Sequence, residues 1–284
     1  MKQHWSRRVS ALLCALLLMT ALWSPAARAA DAPDSWAVGE IQLAIGLGLV
    51  PPDFQQSYTS PITRGEFCRM AVITLEKAAR VNGWTFLPQP ASFDDTADSN
   101  ILLAAGLGIV SGDGTGSFHP NRGITRQEAA VMLYNTLDVM GVPLESGSTS
   151  FTDRGTIATW ASSQVSAVVD RGVMNGTGGG GFSPLASYSR QQAYVTFYRL
   201  LSSLFMELPA YSYTIRVGQT LDLTCTYSTG ASTAAWTSNN PGIVAVTRDK
   251  GEGDVVLTGV APGTTTVTCR SGDYQITCTV TVSA

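Results

Sequence analysis

The sequence predicts a multidomain chain in which an all-α, pseudo-threefold helix–loop–helix module precedes an all-β sandwich. Three observations lead there. A motif reading apolar, Ser/Thr, Arg, any residue, Glu/Gln recurs three times, its arginines 62 and 64 residues apart. A helical apolar period follows each copy. From Leu208 onward, strict alternation in a Thr-, Val-, Ser- and Gly-rich segment replaces that period. A length of 284 residues suits two domains of about 100–150 residues.

The first element is a leader. Lys2, Arg7 and Arg8 precede an apolar run from Val9 to Trp23; Ser24-Pro25 ends the run, and Ala27-Arg28-Ala29 supplies a small-x-small cleavage pattern. Its roughly 15 residues fall short of the ~20 of a spanning helix. Residues 1–30 therefore read as a cleaved secretory signal, with no membrane span after its removal. Cleavage leaves 14 Lys+Arg against 21 Asp+Glu, a net charge of −7. That acidic balance excludes a partner held by phosphate neutralisation, so no nucleic acid is expected. His119 is then the one histidine, which excludes His-rich zinc sites. It reads as an exposed loop residue. No Cys-x-x-Cys spacing occurs, and neither a metal nor a cofactor is expected.

The three motif copies are Ile62-Thr63-Arg64-Gly65-Glu66, Ile124-Thr125-Arg126-Gln127-Glu128 and Tyr188-Ser189-Arg190-Gln191-Gln192. Each is a capping box: the hydroxyl accepts from a backbone N–H three residues on, and the Glu/Gln side chain reaches back. Behind them, Phe67/Ala71/Leu75, Ala129/Leu133/Leu137 and Ala193/Phe197/Leu201 form apolar stripes. A shorter helix precedes each box. One runs from Trp36 toward Gly48, one from Ile101 toward Gly108, and one from Trp160 toward Gly172, the glycines serving as left-handed stops. Gln127 and Gln191 read as solvent-facing.

The set Phe-x-Asp, Trp, Gly-Ile/Val, turn Gly, Phe-x-Pro and Ile-Thr-Arg-x-Glu resembles the S-layer homology (SLH) domain over about residues 31–206. The repeats fall at 31–90, 91–147 and 148–206. The resemblance implies a pseudo-threefold module that anchors exported proteins to the cell wall. Its usual ligand is a secondary cell-wall polysaccharide, often with pyruvylated sugars. The chemistry fits such a ligand, because guanidinium engages carboxylate through paired hydrogen bonds. At a helix N-terminus, unpaired backbone donors would add to the attraction. Arg64, Arg126 and Arg190 are the expected anion contacts, with Trp36 and Trp160 as neighbouring walls. For the arginines an intramolecular salt bridge is the other reading, and for the tryptophans core packing. Asp95 and Asp153, in Phe-x-Asp starts, either orient the arginines or cap the first helices. The copies differ: the first has Pro51-Pro52 in its loop, the second lacks the tryptophan, and the third closes its box with Gln192. One or two working sites are expected.

In the last segment Leu221, Leu223 and Cys225 share a face, as do Val267 and Cys269, and Ile276, Cys278, Val280 and Val282. The run Trp236-Thr237-Ser238-Asn239-Asn240-Pro241-Gly242, with Ala261-Pro262-Gly263-Thr264, resembles the group 2 bacterial immunoglobulin-like domain over 208–284. Cys225–Cys269 is the first-choice disulfide; Cys269–Cys278 and free thiols stay open. Nothing in the sandwich picks out a ligand. The expected function is a non-catalytic, secreted cell-surface protein held to the wall through secondary polysaccharide or peptidoglycan. The alternative is an adhesin or S-layer subunit in which the sandwich makes the main interaction.

Overall fold

The computed structural model describes residues 32–144, 150–227, 233–251, 253–272 and 274–284; the expected leader at 1–30 lies outside them. Capping boxes set the helix starts. α1 (Val38–Gly46), α3 (Ser99–Gly106) and α5 (Ser162–Asp170) are short; α2 (Arg64–Asn82), α4 (Arg126–Val139) and α6 (Arg190–Ser202) follow the boxes. Thr63, Thr125 and Ser189 each accept from the N3 backbone N–H, while Glu66, Glu128 and Gln192 each accept from the cap residue's N–H. All three expected stripes are buried. The short helices stop just before Gly48, Gly108 and Gly172, at φ 64°, 80° and 71°.

The segments entering the boxes cross between copies. Ile62 N donates to Tyr188 O (2.9 Å), Tyr188 N to Ile124 O (3.0 Å), and Ile124 N to Ile62 O (3.3 Å), closing a ring. The chain's beginning is tied to α6. Arg199 binds Glu40 through two hydrogen bonds of 2.8 and 2.7 Å, and Tyr194 Oη donates to Phe54 O at 2.8 Å.

A β-sheet region follows. Its strands are β1 (Met206–Glu207), β2 (Ser212–Arg216), β3 (Thr220–Thr224), β4 (Thr226–Tyr227), β5 (Ala235–Ser238), β6 (Val244–Gly251), β7 (Asp254–Gly259), β8 (Gly263–Ser271) and β9 (Tyr274–Ser283). Sheets β2-β9-β8-β5 and β3-β7-β6 face each other, with β1-β4 as a short pair; β2 runs parallel to β9. Alternation sends Ile276, Cys278, Val280 and Val282 inward and leaves the threonines between them half-buried. Met206, expected at the end of the helical region, pairs with Tyr227 and is buried in the sandwich core. Cys68, Cys225, Cys269 and Cys278 are buried and form no disulfide among the described residues, with Cys225 within hydrogen-bonding reach of Cys269. Cys269 stands opposite Ile276, and Cys278 opposite Val267.

The two regions pack together. The Phe205 and Tyr274 rings are 4.8 Å apart, and Tyr274 touches both cores. At Gly172 a Cβ would stand 2.6 Å from Tyr211 Cδ1, so glycine is required there by contact as well as by φ.

Candidate functional site

Each motif arginine sits at the first position of its helix and reaches into the following copy. Arg64 Nε donates to Phe118 O (3.0 Å) and Nη2 to Ser111 O (2.9 Å). Arg126 repeats this on Phe182 O and Asn175 O, both at 2.8 Å. The guanidinium carbons lie 4.4 Å from the Phe118 ring centre and 4.9 Å from that of Phe182. Arg190 instead forms an ion pair with Glu66 and donates weakly to Gln56 O (3.4 Å). The salt-bridge reading holds for Arg190, while Arg64 and Arg126 bind backbone carbonyls.

The acceptor carbonyls are held by the Phe-x-Asp carboxylates. Asp95 accepts from Phe118 N (2.9 Å) and His119 N (2.7 Å); Asp153 accepts from Phe182 N (2.8 Å) and Ser183 N (2.7 Å). His119 and Ser183 take φ of 60° and 57°, and Ser57, also seven residues before its arginine, takes 53°. Such a bend is costly without glycine, and the carboxylate clamp offsets the cost. These backbone hydrogen bonds hold both aspartates below the usual carboxylate range. The aspartates orient the arginines through the backbone and do not cap helices: Asp98 caps α3.

Two other expectations are corrected. The first-turn N–H groups are not unpaired: Arg64 N and Gly65 N donate to Arg122 O and Pro120 O, Arg126 N and Gln127 N to Ala186 O and Pro184 O, and Arg190 N and Gln191 N to Ser60 O and Tyr58 O. These helix-end donors are therefore not open to an anion. Gln127 and Gln191 are buried, accepting from Ala158 N (3.0 Å) and Asp34 N (2.9 Å). They fasten the segments that carry Trp160 and Trp36. In the first copy this position is Gly65, whose missing side chain leaves room for Pro120 O. The short helix that Gly65 faces, α3 of the second copy, has no tryptophan before it.

Trp36 and Trp160 are 51% and 56% exposed, so they are walls and not core. Trp36 borders a cavity of about 370 Å³ with Arg126, Asn175, Tyr188, Gln192 and Arg199. Trp160 borders an equivalent one of about 380 Å³ with Arg64, Ser111, Glu128 and Asn135. The grooves differ electrostatically. Arg126 is 5% exposed, and among the described residues it forms no salt bridge. Burial lowers its pKa, which marks an under-compensated cation. Burial also lowers that of Arg64, aided by the charge of Arg122, which is itself ion-paired with Glu128 (2.5 Å). Gln192, Asn175, Tyr188 and Arg199 were not singled out from the sequence. For Gln192 the signal was there, as a neutral residue where the other boxes have Glu. Among the described residues no His/Cys/Asp/Glu cluster is arranged to hold a metal, and no helix is long and apolar enough to cross a membrane.

Residues 92–130 and 150–193 match the S-layer homology domain, and residues 205–282 match the bacterial Ig-like domain (group 2). Exoglucanase XynX of Acetivibrio thermocellus is 29% identical over 181 residues, 60% of this chain and 16% of that protein. The Surface-layer 125 kDa protein of Lysinibacillus sphaericus is 24% identical over 222 residues, 72% of this chain and 18% of that one. The chain thus spans less than a fifth of either relative's length. Among solved structures, domains 4 and 5 of the S-layer protein SbsC match at 22% identity and a TM-score of 0.26, over 28% of this chain and 51% of that one.

Proposed function

We propose that this chain, which carries S-layer homology segments followed by a group 2 bacterial Ig-like domain, is a non-catalytic protein held non-covalently at the bacterial cell surface. The helical module is read as three repeats, at 31–90, 91–147 and 148–206, arranged with pseudo-threefold symmetry. The closed hydrogen-bond ring through Ile62, Tyr188 and Ile124 supports that arrangement. The ligand is an acidic secondary wall polysaccharide, including pyruvylated sugars, and the sandwich is displayed outward.

One observation carries the assignment. Arg126 is a buried guanidinium without a carboxylate partner among the described residues, beside an exposed tryptophan and a neutral Gln192. A carboxylate sugar supplies the missing charge, and the indole offers its face to a pyranose ring. Arg64 and Trp160 make a second, weaker site, with Glu128 on its wall. The third groove is closed by Arg190–Glu66, and it has Thr96 in place of the tryptophan.

Cosedimentation with purified cell walls, intact and stripped of secondary polysaccharide, tests this. Binding lost on stripping and weakened by Arg126→Ala is the expected result. Binding retained on stripped walls assigns peptidoglycan as the ligand. No binding to either wall refutes the anchor.

A further inference from the structure

A larger cavity, about 690 Å³, lies where the helical module meets the sandwich. One wall is the outer face of β2, β9 and β8, bearing Ser212, Thr279, Thr266 and Thr277. Register sets Ser212 opposite Thr279, and Thr279 opposite Thr266, so three hydroxyl residues cross three strands in one row. Strands lie about 4.8 Å apart and same-face residues about 6.8 Å apart along a strand. Hydroxyls on that grid are spaced on the scale of a sugar ring. No side-chain hydrogen bond engages Thr266 or Thr279 among the described residues, so their hydroxyls are available. The floor is the Tyr211 ring, fixed against Gly172.

The opposite wall holds Asp170, Asn175 and Gly176. Asp170 makes no salt bridge among the described residues, and burial raises its pKa. A carboxylate in that setting accepts hydrogen bonds from neighbouring hydroxyls and repels an anion. Among the described residues it is the one charged residue lining the cavity. Asn175 and Gly176 also line the Arg126 groove, where Asn175 O is held by Arg126 Nη2. The two cavities share this wall.

We infer that the junction is a second glycan subsite, taking a neutral, polyhydroxylated stretch of the polysaccharide whose acidic sugar sits at Arg126. The inference rests on the anchoring reading of that groove. It makes the sandwich part of the binding surface, and a bound glycan would brace the two regions against each other.

The test uses the full chain and wall polysaccharide hydrolysed into two sized fractions, one repeating unit and several. Thr266→Val with Thr279→Val keeps β-branched shape and removes two hydroxyls. With two hydrogen bonds lost, the long fraction should bind the double variant about tenfold more weakly, with the short fraction unchanged. Arg126→Ala should lose both. If the double variant binds the long fraction as the parent does while Arg126→Ala loses both, the subsite is refuted and the anchor stands. If the parent binds neither fraction, both readings fall. Threonine-methyl NMR of the unmutated chain guards against a destabilised variant. The Thr266 and Thr279 signals should shift with the long fraction only, and no shift overturns the subsite.

Discussion

Replacing Gln192 by glutamate imports into the Arg126 groove the carboxylate that occupies Arg190 in the third. Glu66 and Gln192 hold the same position of the same capping box, each beside the arginine of the preceding copy. The new carboxylate would pair with a 5%-exposed guanidinium that already donates to Phe182 O and Asn175 O. An incoming sugar carboxylate must then displace a charge-assisted hydrogen bond, a loss of about 1.5–3 kcal/mol. At about 1.4 kcal/mol per tenfold, affinity for a short acidic oligosaccharide should fall between about 10- and 150-fold. Folding should not suffer, because Glu serves the boxes at Glu66 and Glu128, and a carboxylate is favoured in a first helical turn. Titration calorimetry at two salt concentrations, with thermal unfolding alongside, reads both quantities. Unchanged affinity in Gln192→Glu, with binding lost in Arg126→Ala, would refute the account of why the third groove is closed. Unchanged affinity in both variants would remove Arg126 from the site.

The reverse change, Glu66→Gln, keeps its box as Gln192 does. It should release Arg190, raise binding stoichiometry in calorimetry, and cost about 1–2 kcal/mol for a pair whose side chains are each 20% exposed. Trp36→Ala should weaken oligosaccharide binding about five- to tenfold while moving the thermal midpoint little, since the ring is half exposed and its Nε1 donates only a 3.3 Å hydrogen bond to Asp34. Asp95 and Asp153 have folded pKa values held down by backbone N–H donors. Their stabilisation is complete above the unfolded value of about 3.9 and is lost as pH falls through the lower folded values. Melting curves from pH 7 to 3 should show that loss, and Asp153→Asn should flatten it. If Cys225 and Cys269 pair on oxidation, denatured protein comprising residues 31–284 should titrate two thiols in place of four, and reduction should cost about 2–4 kcal/mol. Cys68 and Cys278, both pushed up to about 12 by burial, should stay unreactive in the folded protein.

What was legible in the sequence were features that local chemistry determines alone. Thr63 with Glu66, and Thr125 with Glu128, announce their helices because both partners of the box lie within four residues. The left-handed stops at Gly48, Gly108 and Gly172 follow from the backbone. Gln127 and Gln191 were misjudged because their partners, Ala158 and Asp34, stand 31 and 157 residues away. Asp153 looked like a helix cap for the same reason: it serves a bend 29 and 30 residues downstream. The helix-end donors were expected to be open because no local pattern foretells that Arg122 O or Ala186 O will fill them. The sandwich face of β9 was readable as alternation, but its meeting with Asn175 belongs to tertiary packing.

The ring through Ile62, Ile124 and Tyr188 also sets a timetable. Asp34 and Glu40 meet Gln191 and Arg199 only across 157 and 159 residues of chain. At synthesis rates of about 5–20 residues per second, the first copy waits roughly 8–30 s for the third before its fold can close. Through that interval Phe67, Ala71 and Leu75 have no finished core to enter. The unfinished chain is therefore sticky and needs shielding. It is also still a thread, able to pass a narrow channel that would stop a closed ring.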